Sequence, residues 1–230
     1  MKPYYQDDLV TLYHGDCLDQ RLWLTADVLV TDPPYGIGWK ASDGWTNAAG
    51  RGGHRSSGNA KSIANDEDTS ARDAALELWG DKPAVVFGDI LKPPAGTVHV
   101  LIYAKPADAG IRGARAGRRK DVEGIFLTGK WPTGIGGKSS VLHTGGRVAG
   151  PRGIALRAGH PHAKPQDVMG ELVELADGII ADPFAGSGST LVAAKALGRK
   201  AIGVEIDEKH CETIAKRCAQ EVLDIFGGVA

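Results

Sequence analysis

Residues 30–36, VTDPPYG, place a carboxylate, two prolines and an aromatic ring directly after a short apolar run. Two successive prolines fix φ and remove two N–H donors, so Pro33 and Pro34 cannot continue a strand ladder, although their carbonyls remain acceptors. The segment therefore presents Asp32, backbone carbonyls and the flat ring of Tyr35 at the end of a predicted buried strand. An ordinary strand exit built on turn prolines has the same residue types, and this motif alone leaves both interpretations open.

A second motif lies near the other end of the chain, in GIIADPFAGSGST (residues 178–190). A strand predicted over Gly178–Ala181 leads into Asp182, and a turn containing Gly186 and Gly188 follows before a predicted helix. The next predicted strand ends in Glu205, 19 residues after Gly186. This is the spacing at which nucleotide-binding folds bind ribose hydroxyls, so the pattern indicates a nucleoside-containing cofactor.

The glycine pattern differs from those of the common phosphate-binding sites. Leu191 occupies the third glycine position of the dinucleotide fingerprint, which argues against NAD or FAD. No Gly-Lys-Ser/Thr follows, so the segment is not a P-loop. A cofactor that has a ribose but no phosphate fits better, and S-adenosylmethionine is the common one.

Together, DPPY at Asp32–Tyr35 and DPFAGSGST at Asp182–Thr190 resemble the amino-methylating DNA methyltransferases, which act on adenine N6 or cytosine N4. The catalytic motif precedes the cofactor motif, which resembles the circularly permuted β-class of that family. Three further segments match the family in register: HGD at His14–Asp16, HPHAKP at His160–Pro165 and GRKAIGVEID at Gly198–Asp207. The resemblance covers Leu9–Pro34 and His160–Phe226, with weaker matches between them.

The resemblance implies catalytic roles for Asp32, Pro33, Pro34 and Tyr35. Asp32 and the Pro33 carbonyl would accept the two N–H groups of the target amine, which favours a pyramidal nitrogen whose lone pair points at the methyl sulfonium. The fixed φ of the prolines holds these acceptors in place before the reaction. Tyr35 would offer a stacking face to a base extracted from the duplex. Alignment with the methyl group completes the mechanism, without a covalent intermediate.

The resemblance also implies a cofactor site. Asp16 would accept from the adenine N6 of the cofactor, Glu205 would bind both ribose hydroxyls, and Phe184 would pack against the cofactor. Lys164 would pair with the cofactor carboxylate, or else be a surface residue. The remaining expected cofactor neighbours are Cys17, Asp32, Asp182, Gly186, Ser187, Gly188, Ser189 and Thr190; Cys17 is given no role in the chemistry, and no metal is expected.

An aspartate at the first position of the tetrapeptide favours adenine N6 over cytosine N4, although the two amines are chemically similar. Two other classes of protein remain as alternatives. A nicotinamide oxidoreductase would explain the glycines and Glu205 but not DPPY. A non-catalytic DNA-binding relative would explain the basic charge described next, yet both motifs are intact.

Positive charge is concentrated in one quarter of the chain. Lys105–Lys164 holds 12 Lys/Arg and 3 Asp/Glu, a net +9, whereas the rest holds 15 and 25, a net −10, which together give the overall −1. This distribution indicates a polyanionic partner, and we expect double-stranded DNA. The alternative is a solvated basic surface. The residues expected to contact DNA are Arg51, Arg55, Arg118, Arg119 and Lys120.

The segment 41–60, rich in Gly, Ser and Asn, follows the catalytic motif directly. We expect it to be disordered without DNA and to close over the target nucleotide when DNA binds. The glycine-rich segment 129–159 is expected to be a small target-recognition insertion. It would separate the catalytic part, 1–128, from the cofactor-binding part, 160–230, of a single domain.

Short apolar runs alternating with helical stretches predict a fold that positions these motifs. Strands are expected at Leu9–Tyr13, Asp27–Thr31, Ala84–Phe87, Val98–Tyr103, Val122–Leu127, Gly178–Ala181 and Ala201–Glu205, and helices at Ser70–Trp79, Asp167–Ala176, Thr190–Leu197 and Glu208–Phe226. This pattern predicts an α/β, Rossmann-like methyltransferase fold with a seven-stranded, mostly parallel sheet. The Val98–Tyr103 and Val122–Leu127 strands, which have no helix between them, predict an antiparallel edge.

Composition is consistent with this class. The 230 residues are 42% hydrophobic and 24% charged, which is typical of a globular protein. We expect no membrane span and no signal peptide, and three cysteines without paired spacing favour a reducing compartment. Cys211 and Cys218 share a predicted helical stripe with Ile214, which favours core packing. The expected protein is cytoplasmic, from a bacterial cell, and a monomer or homodimer.

Overall fold

The computed structural model describes residues 2–38, 64–107, 109, 114–134, 136–145 and 163–220. Within these ranges the strands are β1 (Tyr5–Gln6), β2 (Val10–His14), β3 (Val28–Thr31), β4 (Ala84–Gly88), β5 (Thr97–Ala104), β6 (Val122–Thr128), β7 (Val141–His143), β8 (Ile180–Asp182) and β9 (Ala201–Glu205). The helices are α1 (Ser70–Trp79), α2 (Gln166–Val173), α3 (Ser189–Ala196) and α4 (Glu208–Ala219), with a 3-10 turn at Arg21–Thr25.

All described strands join one mixed sheet in the order β1-β2-β9-β8-β3-β4-β6-β5-β7. The five central strands, β2, β9, β8, β3 and β4, run parallel to one another. The expected Rossmann-like α/β class is confirmed. The expected antiparallel pairing of β5 with β6 is also present, and β6 runs antiparallel to β4 as well.

The sheet is larger than the seven strands expected from the sequence. β1 adds a two-residue edge on one side, and β7 pairs with β5 on the other. Strands this short leave no alternation to detect, because a period of two needs several residues to show. β7 lies inside the segment 129–159, so the described part of that segment contributes to the main sheet.

Alternate side chains of the central strands enter two different cores, because successive residues of a strand point to opposite faces. Val28 and Val30 of β3 pack in the core that α2, α3 and α4 cover. Leu29, between them, packs in a second core with Trp79 of α1 and Trp23 of the 3-10 turn. A sheet covered on both faces explains why its central strands are apolar throughout. Cys211 and Cys218 are buried in the first core, as expected.

The two motifs that lie far apart in the sequence meet at the centre of this sheet. From β3 the chain passes through α1 to β4 on one side, and from β8 it passes through α3 to β9 on the other. β3 and β8 are therefore the neighbouring strands at which the winding direction reverses. In open α/β sheets the ligand binds in the crevice at this point, outside the carboxyl ends of the strands.

No helix in the described part of the chain is both long and apolar enough to cross a membrane.

Candidate active site

Four adjacent parallel strands each lead to an acidic residue at the same edge of the sheet. Glu205 and Asp182 are the last residues of β9 and β8, Asp32 directly follows β3, and Asp16 lies two residues beyond β2. In the spatial order of the strands, the carboxylates run Asp16, Glu205, Asp182, Asp32. A row of carboxylates creates a negative potential along the crevice, which favours a positively charged ligand.

Both oxygens of Asp32 are held by protein groups. The Tyr35 hydroxyl donates to Oδ1 at 2.8 Å, and the Lys164 ammonium donates to Oδ2 at 2.7 Å. The Asp32 side chain is still 26% exposed, so it remains open to the crevice. Each carboxylate oxygen can accept two hydrogen bonds, which leaves acceptor capacity for a ligand amine.

The Tyr35 hydroxyl also approaches Glu123 Oε2 at 3.4 Å. Burial, together with the charges of Asp32 and Glu123, raises the pKa of Tyr35 well above its usual value, so the phenol stays protonated and remains a donor. The sequence predicted a role only for the ring face of Tyr35. The structure adds a second role, because the hydroxyl fixes the carboxylate of Asp32.

Lys164, the residue before the N-cap of α2, is buried with only 8% of its side chain exposed. Its three ammonium hydrogens face three acceptors: Asp32 Oδ2 at 2.7 Å, the Tyr35 oxygen at 3.2 Å and Glu123 Oε2 at 3.3 Å. Burial alone would lower the pKa of Lys164, but Asp32 and Glu123 outweigh burial and raise it. The alternative of a surface lysine is wrong, and a cofactor carboxylate would have to replace one of these partners.

Glu123, on β6, was not predicted as a site residue. Its Oε2 faces Lys164, and its Oε1 forms a 2.5 Å ion pair with Lys105. Burial would raise the pKa of Glu123, but Lys164 and Lys105 more than offset this and lower it to about 2. β6 reaches the catalytic edge because it runs antiparallel to β4. No short motif marks Glu123, so only the strand pairing could have revealed it.

Gly36, at the end of the VTDPPYG segment, is fixed on both sides of its backbone. Its N–H donates to buried Asp66 at 2.8 Å, and its carbonyl accepts from Lys92 Nζ at 2.6 Å. A Cβ at this position would lie 2.6 Å from the Asp68 carbonyl carbon, and its φ of +67° also favours glycine. These contacts fix the exit of the segment, and neither Asp66 nor Lys92 was predicted.

Asp182 is fully buried between the segment that follows β3 and the turn that follows β8. Thr31 Oγ1 donates to Asp182 Oδ1 at 2.7 Å, and the Phe184 N–H donates to the same oxygen at 3.2 Å. Burial raises the pKa of Asp182 to about 6, although hydrogen bonds from Thr190 and Thr31 partly oppose this. The hydrogen bond to Thr31 joins the end of β8 to the end of β3, and so connects the two motifs directly.

The glycine turn after β8 is held by Glu205. The Gly186 N–H donates to Glu205 Oε2 at 2.6 Å, and the Asp207 N–H donates to Oε1 at 2.8 Å. A Cβ on Gly186 would meet only the Phe184 carbonyl oxygen, at 3.8 Å, so the space beside Gly186 is open. Glu205 Oε2 keeps an acceptor position for a ribose hydroxyl, whereas Oε1 also lies 3.5 Å from His210 Nδ1.

Gly188, with a φ of +79°, is the N-cap of α3. A Cβ there would lie 2.9 Å from the Ile214 side chain of α4, so this glycine is also required for helix packing. Ser187 and Ser189 are buried with their hydroxyls 3.1 Å apart, and the Ser187 carbonyl accepts from Arg217. Thr190 is also buried, and Phe184 is half-buried against the second core. The structure therefore brings these predicted cofactor neighbours together at one turn.

Asp16 and Cys17 follow β2 at the other end of the crevice. Asp16 Oδ1 accepts from the Leu18 N–H at 2.9 Å, and the Cys17 carbonyl accepts from the Trp23 indole at 2.8 Å. Burial raises the pKa of the Cys17 thiol to about 12, so it stays neutral. The Gly15 N–H donates to the Glu205 carbonyl at 2.9 Å, which places Asp16 beside Glu205.

Comparison with known proteins indicates the class of enzyme that this chain resembles. Residues 114–217 match a family model described as DNA methylase. This match and the curated relatives support a DNA amino-methyltransferase of the β-class. They support an N6-adenine or N4-cytosine methyltransferase whose methyl donor is S-adenosylmethionine.

A curated relative resembles nearly the whole chain, and solved structures share its fold. The type II methyltransferase M.ScaI of Streptomyces caespitosus is 25% identical over 98% of this chain and 86% of its own length. A structure of M1.HpyAVI with S-adenosylmethionine has a TM-score of 0.61 and 18% identity, over 92% of this chain and all of that one. The cytosine-N4-specific PvuII DNA methyltransferase has a TM-score of 0.62 and 15% identity, over 94% and 88%. The structural likenesses show the shared fold.

Arg115, Arg118, Arg119 and Lys120 lie in the connection between β5 and β6, on the side of the sheet where Asp32 lies. Arg115 and Arg118 exchange backbone hydrogen bonds of 2.9 and 2.8 Å across a two-residue turn. Ala116 and Gly117 at its centre both have positive φ, of +48° and +73°, as a type I′ turn requires. Arg115 and Arg118 are exposed at the tip.

Arg119 and Lys120, expected together with Arg118 to contact DNA, also have partners within the protein. The Arg119 guanidinium donates to the Ala107 carbonyl at 2.5 Å and pairs with Asp121 at 2.9 Å. Lys120 pairs with Asp89 at 3.2 Å, although its side chain is still 57% exposed. The expected DNA contacts Arg51 and Arg55, and the whole lid prediction for 41–60, lie outside the described residues.

Proposed function

We propose that this methyltransferase transfers the methyl group of S-adenosylmethionine to the exocyclic N6 of adenine in double-stranded DNA. The observation that carries the proposal is the position of Asp32 at the reversal of the sheet, one strand away from the cofactor turn. Its carboxylate is oriented by Tyr35 and Lys164 and still open to the crevice. This arrangement suits an acceptor for the hydrogens of an extruded amine.

Asp32 and the Pro33 carbonyl hold the target amine in this proposal, and the ring of Tyr35 offers a stacking face to the extruded base. Lys164 is charged and already bonded to Asp32, so Asp32 acts as an oriented anionic acceptor. Its carboxylate favours the pyramidal form of the nitrogen and stabilises the positive charge that develops there. Proximity and electrostatic stabilisation then account for the acceleration.

The described residues fit the cofactor. S-adenosylmethionine supplies an electrophilic methyl group on a sulfonium when it is bound. The row of carboxylates favours its net positive charge, and the open space beside Gly186 leaves room for its methionine end. Glu205 Oε2 retains an acceptor position for a ribose hydroxyl, and Asp16 retains one for the adenine amine.

We propose that DNA lies across the hairpin tip, with Arg115 and Arg118 on phosphates. Both arginines are exposed on an element that leaves the sheet at the edge where Asp32 lies. Phosphate contacts of this kind position the duplex without specifying its sequence.

The choice of adenine rests on Asp32 as the first residue of the tetrapeptide, by resemblance to the family. Methyl transfer to unmodified genomic DNA, followed by nucleoside analysis, tests it. N6-methyladenine is the expected product. N4-methylcytosine would keep the enzyme class but assign the alternative base, whereas no methylated nucleoside from protein that binds S-adenosylmethionine would contradict the proposed activity.

A further inference from the structure

Asp32 belongs to a cluster of four charged side chains, and it is the only one of them that lies in the tetrapeptide DPPY. Asp32 and Glu123 provide two negative charges, and Lys164 and Lys105 provide two positive ones. Lys164 Nζ is shared between the two carboxylates, at 2.7 Å from Asp32 and 3.3 Å from Glu123. The ammonium also lies 4.9 Å from the centroid of the Phe87 ring, so it has an apolar and aromatic wall on that side.

This sharing affects how well Asp32 can accept hydrogens from an amine. A carboxylate that is closely paired with a cation has less negative charge available for a further hydrogen bond. An ammonium that moves toward a second carboxylate releases part of that charge without leaving the cluster. Only a short displacement is needed, because both carboxylates already lie within ion-pair distance of the same nitrogen.

We propose that Glu123 is a positioning residue that shares the Lys164 ammonium with Asp32 and holds it more closely when Asp32 accepts the target amine. Lys105 fixes the other oxygen of Glu123 at 2.5 Å, which keeps Oε2 turned toward Lys164. Tyr35 also links the two carboxylates, since its hydroxyl lies 2.8 Å from Asp32 and 3.4 Å from Glu123. The inference rests on the proposed function, because it requires Asp32 to be the acceptor.

The main test is Glu123→Gln in the full-length chain, assayed for methyl transfer to DNA and for binding of S-adenosylmethionine. Without the second carboxylate, Lys164 pairs with Asp32 alone, so kcat should fall by about tenfold, the effect of one charge-assisted hydrogen bond. The KM for S-adenosylmethionine should stay within about twofold, since Glu123 does not line the cofactor turn. An unchanged kcat would overturn the proposal.

A double-mutant cycle with Lys164→Met separates positioning from a general structural effect. If Glu123 acts through the ammonium, Glu123→Gln should cause no further loss of kcat in the Lys164→Met background. Additive losses would overturn the proposal. The matched control is Asp7→Asn, which removes a partly buried carboxylate paired with Lys195 at 2.5 Å on the far side of the sheet. It should lower stability but leave kcat unchanged.

If Glu123→Gln fails to fold, Glu123→Asp keeps the charge but withdraws it by one methylene group, and an intermediate kcat is expected. A parental kcat in that variant would overturn the proposal. Asp32→Ala, assayed in parallel, separates a failure of the proposed function from a failure of the inference about Glu123. If Asp32→Ala retains turnover, the proposed function is wrong; if only the Glu123 variants retain it, the function stands and this inference is wrong.

Discussion

The turn proposed to bind the cofactor (the cofactor turn) and the segment proposed to hold the target amine (the catalytic segment) follow neighbouring strands, but different kinds of contact hold them in place. The turn after β8 is fixed by its Gly186 N–H, which donates to Glu205 at the end of the next strand along the chain. The segment after β3 is fixed by side chains from distant parts of the chain: Lys164 before α2 and Glu123 on β6. The cofactor turn is thus fixed locally, and the catalytic segment only when the whole sheet has formed.

This difference has a physical reason. A cofactor that is the same in every turnover can be bound by a rigid turn, which glycine conformations and one carboxylate define. An acceptor for a reacting amine must also have its charge tuned, and a charged neighbour does this at short range. The catalytic segment therefore needs cations and counter-ions that the seven residues VTDPPYG cannot supply.

The largest effect should follow from removing the catalytic acceptor. Asp32→Ala should lower turnover on DNA by about 10²–10³-fold, the usual effect of losing one preorganised group at the reacting atom. Steady-state methyl transfer to genomic DNA measures this. Asp81→Ala is the control, because that exposed aspartate precedes β4 at the opposite edge of the sheet. Comparable turnover in the two variants would remove Asp32 from the mechanism.

Loss of Glu205 should affect the cofactor turn and the binding of S-adenosylmethionine. Glu205→Ala removes the acceptor for the Gly186 and Asp207 N–H groups, so the turn loses its support and the ribose loses its partner. We expect the affinity for S-adenosylmethionine to fall by roughly 30–100-fold, the equivalent of one or two hydrogen bonds to a charged group. Calorimetric titration measures the affinity, with Glu205→Gln expected to be intermediate. A parental affinity in the alanine variant would place the ribose elsewhere.

The buried carboxylate of Asp182, which lies between the cofactor turn and the catalytic segment, should lower the free energy of unfolding at neutral pH. Because burial raises the pKa of Asp182 to about 6, the folded protein binds a proton between about pH 6 and pH 4 that the unfolded chain does not bind. Stability should therefore rise as the pH falls through this window, and the ionised carboxylate should cost about 3 kcal/mol above it.

Asp182→Asn should accordingly raise the free energy of unfolding at pH 7.5 by about 1–3 kcal/mol and flatten its pH dependence between pH 4 and 6. Urea unfolding without cofactor measures both quantities. Asp7→Asn should change stability in the opposite direction, because hydrogen bonds from Lys195 and Tyr5 overcome the effect of burial and lower the pKa of Asp7. A less stable Asp182→Asn variant at pH 7.5 would mean that the charge is well solvated.

The smallest expected effect concerns the basic hairpin. Arg118→Ala should leave the melting temperature unchanged and reduce the slope of log affinity for DNA against log salt by about 0.9, for one lost phosphate contact. Arg119→Ala should instead lower the melting temperature, because its guanidinium holds the hairpin through the Ala107 carbonyl and Asp121. An unchanged salt slope in Arg118→Ala would show that DNA does not contact the tip.

The sequence predicted the strands and turns that local patterns define. It did not predict contacts between residues that lie far apart in the chain. All seven main strands, the pairing of β5 with β6 and the turn containing Gly186 follow from periodicity and glycine spacing. Glu123, Asp66 and Lys92 carried no signal, because each stands outside any motif. Glu123 reaches the site only through strand pairing, and Asp66 and Lys92 reach it from the loops before α1 and after β4. Arg119 shows the same limit: a run of basic residues predicts net charge, but not which side chains are bonded to the protein.

The separate roles of the cofactor turn and the catalytic segment are tested most directly by the affinity for S-adenosylmethionine in a double-mutant cycle. Calorimetric titration of the parental protein, Asp32→Ala, Glu205→Ala and the combined variant gives the coupling between the turn and the segment. If the catalytic and cofactor groups act independently, Asp32→Ala changes the affinity by less than about twofold in either background. A tenfold or larger change caused by Asp32→Ala would contradict this account, because the catalytic carboxylate would then be part of the cofactor site.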